Sequence, residues 1–186
     1  MNIENKSGAS HLVGLGIIPP EEVIHTVRWV QDELYFHHGV RKSRQDPHIT
    51  IKSPHHVDHI DPYLDFVESL VRQMDSFFLK ISGISQFNDE VIYFSLEHNP
   101  LLIKTHEYIL ENICYKFKSA PDPLEGKLWI PHISLARTSD QNTFKKATAF
   151  LQNIRPQYEW EISTIGVFHY NETEGWKIIK MIPLNA

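Results

Sequence analysis

The chain has 186 residues, 41% apolar and 22% charged, the proportions of a folded globular domain rather than a disordered or fibrous one. A formal net charge of −5 argues against a protein that coats nucleic acid along its length, yet leaves room for a pocket that reads one phosphate at a strand end. The single cysteine, Cys114, excludes an internal disulfide; no run approaches the roughly 18 to 20 apolar residues that cross a bilayer, and the start, MNIENKSGAS, has neither the basic nor the apolar region of a signal peptide.

These features lead us to expect a cytoplasmic protein, with residues 1–10 as a flexible tail and 11–186 as one domain. His11 to Pro19 reads as a short buried strand closed by Pro19-Pro20. Glu21 to Phe36 has helical spacing, with Val23, Val27, Val30 and Leu34 on one face. The basic loop Arg41-Lys42-Ser43-Arg44 precedes a strand containing PHITI. A second helix is expected with Asp61 as N-cap and Pro62 at its first position, burying Leu64, Val67, Leu70, Val71 and Met74.

FFLKISGIS and VIYFSLE read as two strands around a turn at Asn88-Asp89. Asn99-Pro100 opens a helix with Leu102, His106, Ile109, Ile113 and Phe117 inward. Then come the strand KLWIPHISLA, a helix near 142–154, and a hairpin of WEISTIGVFHY with WKIIKMIPL turning at Gly175. The expected order is β-α-β-α-β-β-α-β-α-β-β, an α/β or α+β layer structure that looks like two related halves facing each other.

One segment occurs twice. Pro47-His48-Ile49-Thr50-Ile51 is echoed 84 positions later by Pro131-His132-Ile133-Ser134-Leu135, each in a strand with a helix before and after it. Residues i and i+2 of a strand share a face. His48 therefore emerges with Thr50 and His132 with Ser134, while the aliphatic residues between them turn to the core. Two facing halves would bring two imidazoles and two hydroxyls to one cleft. That set suits phosphodiester chemistry without metal. A neutral imidazole takes a proton from the attacking oxygen, a protonated one gives a proton to the leaving oxygen, and the hydroxyls hold the non-bridging oxygens. With 12 histidines in the chain, a bare H-x-[ST] carries little information; its extended form, twice in strands, carries much more.

On these residues the chain resembles the 2H phosphoesterase superfamily, defined by two H-x-[ST]-x motifs, and HISLAR is close to the second motif of its 2′-5′ RNA ligase-like branch. The resemblance implies an α+β fold with two antiparallel-sheet lobes, outer helices and a pseudo-twofold axis through a central cleft. It implies a cyclic phosphodiesterase, opening 2′,3′-cyclic phosphates to 2′-phosphates, in some members with reversible 2′-5′ RNA ligation. By position, His48 and His132 would be the acid/base pair, His132 acting as base in ring opening. Thr50 and Ser134 would bind phosphate, serine standing where threonine is usual. No cofactor or metal is implied. The partner is a nucleotide or RNA end with a cyclic or 2′-5′ phosphodiester, and a monomer is the default.

Arg137 matches the arginine of the family's H-x-T-x-A-R variant and would contact phosphate or ribose. Strict alternation puts it opposite His132, so it reaches the cleft only where the strand ends or bulges. Lys52 has the reverse profile: alternation puts it on the His48 face, as a further phosphate contact, without a family counterpart. The 41–44 loop would steer polyanions, Phe87 and Tyr93 sit where a base can stack, and His169 is assigned a structural role.

Two other readings stay open. His55, His56 and His59 with Asp58 or Asp61 have the composition of a metal site, but the helix that would align them starts too late. The same cleft would also serve a non-catalytic nucleotide- or RNA-end-binding module.

Overall fold

A computed structural model describes residues 10–43 and 45–185. All but Ser10 of the expected N-terminal tail, and Arg44 of the basic loop, lie outside the described residues. Among the described residues thirteen elements follow in chain order: β1 His11–Ile17, α1 Glu21–His38, β2 Ile49–Val57, α2 Ile60–Val71, β3 Phe77–Phe87, β4 Val91–Leu96, α3 Pro100–Phe117, a single 3₁₀ turn Gly126–Leu128, β5 His132–Arg137, α4 Gln141–Leu151, β6 Glu159–Ile162, β7 Thr164–Asn171 and β8 Gly175–Pro183. Among the described residues no helix is long and apolar enough to cross a membrane.

The strands form one eight-stranded antiparallel sheet in the order β6-β3-β4-β5-β2-β1-β7-β8. The order has a symmetry of its own. Outward from the central β5–β2 pair, each side carries the strand preceding its helix, β4 or β1, and then a strand delivered from the other half, β3 or β7. At the centre the sheet is thin, since β2 and β5 pair only through Ile49 and Ile133. The sheet also curls. Only Ser163 separates β6 at one end from β7 near the other, and Asn185, just past β8, exchanges backbone bonds with Met74 and Ser76 ahead of β3.

The helices cover the face to which Ile49, Ile51, Ile133 and Leu135 point, and all four are buried there. Each motif strand is backed by a helix from the opposite half, α3 on β2 and α1 on β5. Val23, Val27, Val30 and Leu34 of α1 are buried as their spacing predicts, and each such aliphatic side chain contributes about 1.5–3 kcal/mol. Asn99 caps α3, its side chain accepting from the amides of Leu101 and Leu102.

Several expectations need correction. Helix α2 starts at Ile60 with His59 as N-cap, so Asp61 and Pro62 fall inside the first turn. A proline is tolerated there because its missing N–H has no helical partner anyway. WEISTIGVFHY is two strands, broken at Ser163 where the chain changes sheet edge. Strand β5 begins only at His132, because Lys127–Trp129 belong to the 3₁₀ turn and its cap.

Candidate active site

Proline explains why each motif begins as it does. An X-Pro pair holds X extended and fixes the φ of proline, and in this chain the carbonyl of X then faces the following imidazole. Nδ1 of His48 lies 2.7 Å from the carbonyl of Asp46, and Nδ1 of His132 lies 2.8 Å from that of Ile130. A carbonyl only accepts, so both Nδ1 atoms carry the hydrogen. Nε2 is left to exchange a proton with a ligand, and it has no hydrogen-bond partner among the described residues in either ring. The Ser53-Pro54-His55 segment repeats the arrangement at 3.0 Å, but there the ring is turned into the core.

Burial pushes both motif imidazoles below their ordinary value. For His48 the carbonyl and the charge of Asp46 work against this, less strongly. For His132 the carbonyl of Ile130 opposes it, while a positive charge on His48 would lower it further. His48 packs on Phe168, ring centres 4.9 Å apart. His132 sits against Phe87 and Tyr93 at 5.0 and 5.1 Å, and these two rings stack at 4.1 Å.

A cleft of about 850 Å³ lies along the seam, lined by Thr50 and Ser53 from β2 and by His132, Ser134 and Arg137 from β5. A recess of about 130 Å³ beside it is lined by His48, Lys52 and Phe168, and Thr50 borders both. The structure therefore brings together His48, Thr50, His132, Ser134 and Arg137. Arg137 reaches the cleft by the bulge that alternation alone did not give. Ile92 is opposite Ala136 but Tyr93 is opposite Ser134, so Leu135 is an extra residue in β5. Strand β2 has a matching irregularity near Ile51 and Lys52, both buried although adjacent.

Lys52 departs from its expected role. Its ammonium is buried in an ion pair with Glu125, at 2.9 and 3.1 Å, and so is spent within the protein rather than offered to a phosphate. In the basic loop, Lys42 is tied to Asp32 at 2.6 Å and lies over the rings of Tyr35 and Phe36. Arg41 lines the cleft without an ion pair among the described residues. His55 and His56 lie at the end of β2 with opposite burial, not along a helix. No three His, Cys, Asp or Glu side chains converge as a metal site among the described residues. His169 bonds to His11, Nε2 to Nδ1, at 3.2 Å.

Reading the sequence missed Gly16, Phe168, Trp129 and Glu125. A Cβ on Gly16 would meet the Ile49 carbonyl and Phe168 at 3.0 Å and the His48 ring at 3.3 Å, so this position is small to admit the motif histidine. The one available signal for Glu125 was a lysine set directly after the aliphatic Ile51 of the motif strand, a charge that calls for an acid once it is buried.

No curated protein sequence matches this chain. Among solved structures, it is similar to TT0787 of Thermus thermophilus, with 17% identity, a TM-score of 0.67 and coverage of 94% of this chain and 98% of that one. It is similar to apo LigT of E. coli at 13% identity and a TM-score of 0.65, covering 95% and 99%. Usb1 of Kluyveromyces marxianus follows at 12% identity and 0.50, covering 97% and 99%. At such identities these likenesses establish the fold. The sequence profile of the 2′-5′ RNA ligase superfamily matches residues 19–174, and on that match the chain belongs to this superfamily of 2H phosphoesterases.

Proposed function

We propose that the protein is a metal-independent phosphodiesterase that opens 2′,3′-cyclic phosphates of RNA ends or nucleotides to 2′-phosphates, and that it can run the related 2′-5′ ligation reversibly. The observation that carries this reading is the duplicated lock. Two imidazoles, each held by Nδ1 on the carbonyl two residues before it, leave Nε2 free beside a hydroxyl on the same wall. Two lobes about a pseudo-twofold axis, the halves on either side of the β2–β5 seam, account for the equivalence of the two sites. LigT of E. coli has been crystallised with 3′-AMP and with ATP, in keeping with a nucleotide as the ligand class here.

In ring opening one neutral imidazole takes a proton at Nε2 from water as the water oxygen bonds to phosphorus. The P–O3′ bond breaks, and the other imidazole, protonated, delivers its proton to O3′. Family assignment makes His132 the base and His48 the acid. The hydroxyls of Thr50 and Ser134 donate to the non-bridging oxygens, and the Arg137 guanidinium balances the phosphate charge. Lys52 has no part in this, its ammonium being held by Glu125.

The test is turnover of an oligonucleotide ended by a 2′,3′-cyclic phosphate in excess EDTA, beside His48→Ala and His132→Ala. Formation of a 2′-phosphate by the wild type, lost in both variants, supports the proposal. Binding without product would make the protein a nucleotide- or RNA-end-binding module. Loss of activity with chelator would make it a metalloenzyme.

A further inference from the structure

Single exposed aliphatic side chains need no explanation, but a cluster of them in a ligand cleft does. Leu124, Leu128 and Ile130 are 70, 66 and 50% exposed, fall within seven residues, and all line the cleft. The underside of the same segment is held by buried polar groups. Glu125 accepts from Lys52 Nζ, from the Ser53 amide at 2.6 Å and from the Asp122 amide at 2.7 Å. His106 donates from Nδ1 to the Ile51 carbonyl at 2.7 Å and accepts at Nε2 from the Gly126 amide at 3.1 Å. Trp129 stacks on His106 at 3.9 Å and donates to the Thr50 carbonyl at 3.1 Å. Four consecutive residues of β2, Thr50 to Ser53, are thereby bonded to the segment or to the histidine behind it.

The place of this clamp follows from the seam. Strand β5 reaches β2 at Ile49 only, so beyond that pair the 122–129 segment takes the neighbour's position. Burying a charged pair is an expensive way to hold a loop, and well-packed apolar residues commonly do as well for stability. What hydrogen bonds to a carboxylate and an imidazole add is a fixed backbone position. A loop that displays three aliphatic side chains to a cleft and is fixed from behind is preorganised for an uncharged, apolar part of a ligand.

We infer that Leu124, Leu128 and Ile130 form the wall that takes the base of the substrate nucleotide, with Glu125 as the positioning residue that holds it. The inference rests on the phosphodiesterase reading, which places the phosphate at His48 and His132. The wall is continuous with that centre in one cleft, since Thr50, His132 and Ser134 line it too. Phosphate and ribose hydroxyls would lose water against leucine without recompense, whereas the base is the flat, uncharged part of the substrate.

The experiment compares a nucleoside 2′,3′-cyclic phosphate with ribose 2,3-cyclic phosphate, which has no base. The double variant Leu124→Asn/Leu128→Asn is expected to raise KM for the nucleoside compound about tenfold, with kcat and the base-free KM unchanged. Lys52→Met/Glu125→Ala is expected to reduce the same preference, with faster hydrogen exchange over 122–129. Lys52→Met/Glu125→Gln keeps an acceptor for one of the two amides, which the carboxylate takes on different oxygens, and is expected to restore the preference in part. Equal KM changes for both compounds, or none, overturn the inference while leaving the phosphodiesterase reading intact. If the wild type turns over neither, dissociation constants for adenosine 2′-phosphate and ribose 2-phosphate carry the comparison. A leucine-dependent preference there supports the wall without the reaction, and no binding of either overturns both.

Discussion

Leu135 and Ala136 are neighbours in β5, yet both side chains enter the core. The extra residue this creates opposite Ile92 returns Arg137 to the wall carrying His132 and Ser134. Under the proposed function its guanidinium would pair with the phosphate, a charge-assisted bond of about 1.5–3 kcal/mol. Arg137→Gln is expected to lower kcat/KM for the cyclic phosphate roughly 10- to 150-fold, with Arg137→Lys recovering part of the loss. An unchanged kcat/KM in steady-state assays of Arg137→Gln would place the arginine outside the site.

That bulge marks how far the sequence could be read. The helices were legible because their apolar residues recur at helical spacing, and Asn99-Pro100 announced α3 correctly. The candidate site was legible as a cluster because PHI[ST] occurs twice, and repetition outweighs any single histidine in a chain with 12 of them. Nothing local announces the extra residue at Leu135, where neither glycine nor proline stands, so alternation put Arg137 on the wrong face. The same reading put the Lys52 ammonium in the cleft, and its acid lies 73 positions away in a loop without periodicity. Contacts of that kind are set by the fold as a whole, beyond the reach of a local pattern.

Gly16 tests how closely His48 is held. A methyl group there is 3.0 Å from the Ile49 carbonyl, which is backbone and yields little. Gly16→Ala is expected to cost about 1–3 kcal/mol of stability and to displace His48 with Phe168. A displacement near 1 Å costs on the order of 100-fold in rate, so kcat should fall far more than KM rises. A variant with reduced Tm and unaltered kcat would show that the contact matters to the fold alone.

The pH dependence of turnover follows from two imidazoles that burial holds below 6.5. One must be neutral and the other protonated, and a positive charge on His48 lowers His132 further. Lowered values shift the singly protonated free enzyme toward acid pH, so the kcat/KM profile is expected to be bell-shaped with its optimum on the acid side of 6.5. Bound phosphate favours the imidazolium forms, which moves the kcat profile upward. An optimum of kcat/KM above pH 8 would contradict the acid/base assignment.

His55 gives a prediction that does not depend on catalysis. Its ring is buried with Nε2 unpartnered among the described residues, and burial lowers its pKa from 6.5 to about 4. Between those values the unfolded chain binds a proton that the folded one refuses, so stability is full above about 6.5 and falls as the pH drops toward 4. The shift corresponds to roughly 3 kcal/mol, and the lowered values of His48, His106 and His132 act in the same direction. His55→Leu removes the titrating ring and its orphan nitrogen at the loss of one bond to the Ser53 carbonyl, a change of about 1 kcal/mol at neutral pH. Urea unfolding at pH 7 and at pH 4.5 is expected to show a smaller acid loss in the variant than in the wild type. Equal losses would mean that His55 is already protonated in the folded protein, and that the buried nitrogen has a partner which relieves it.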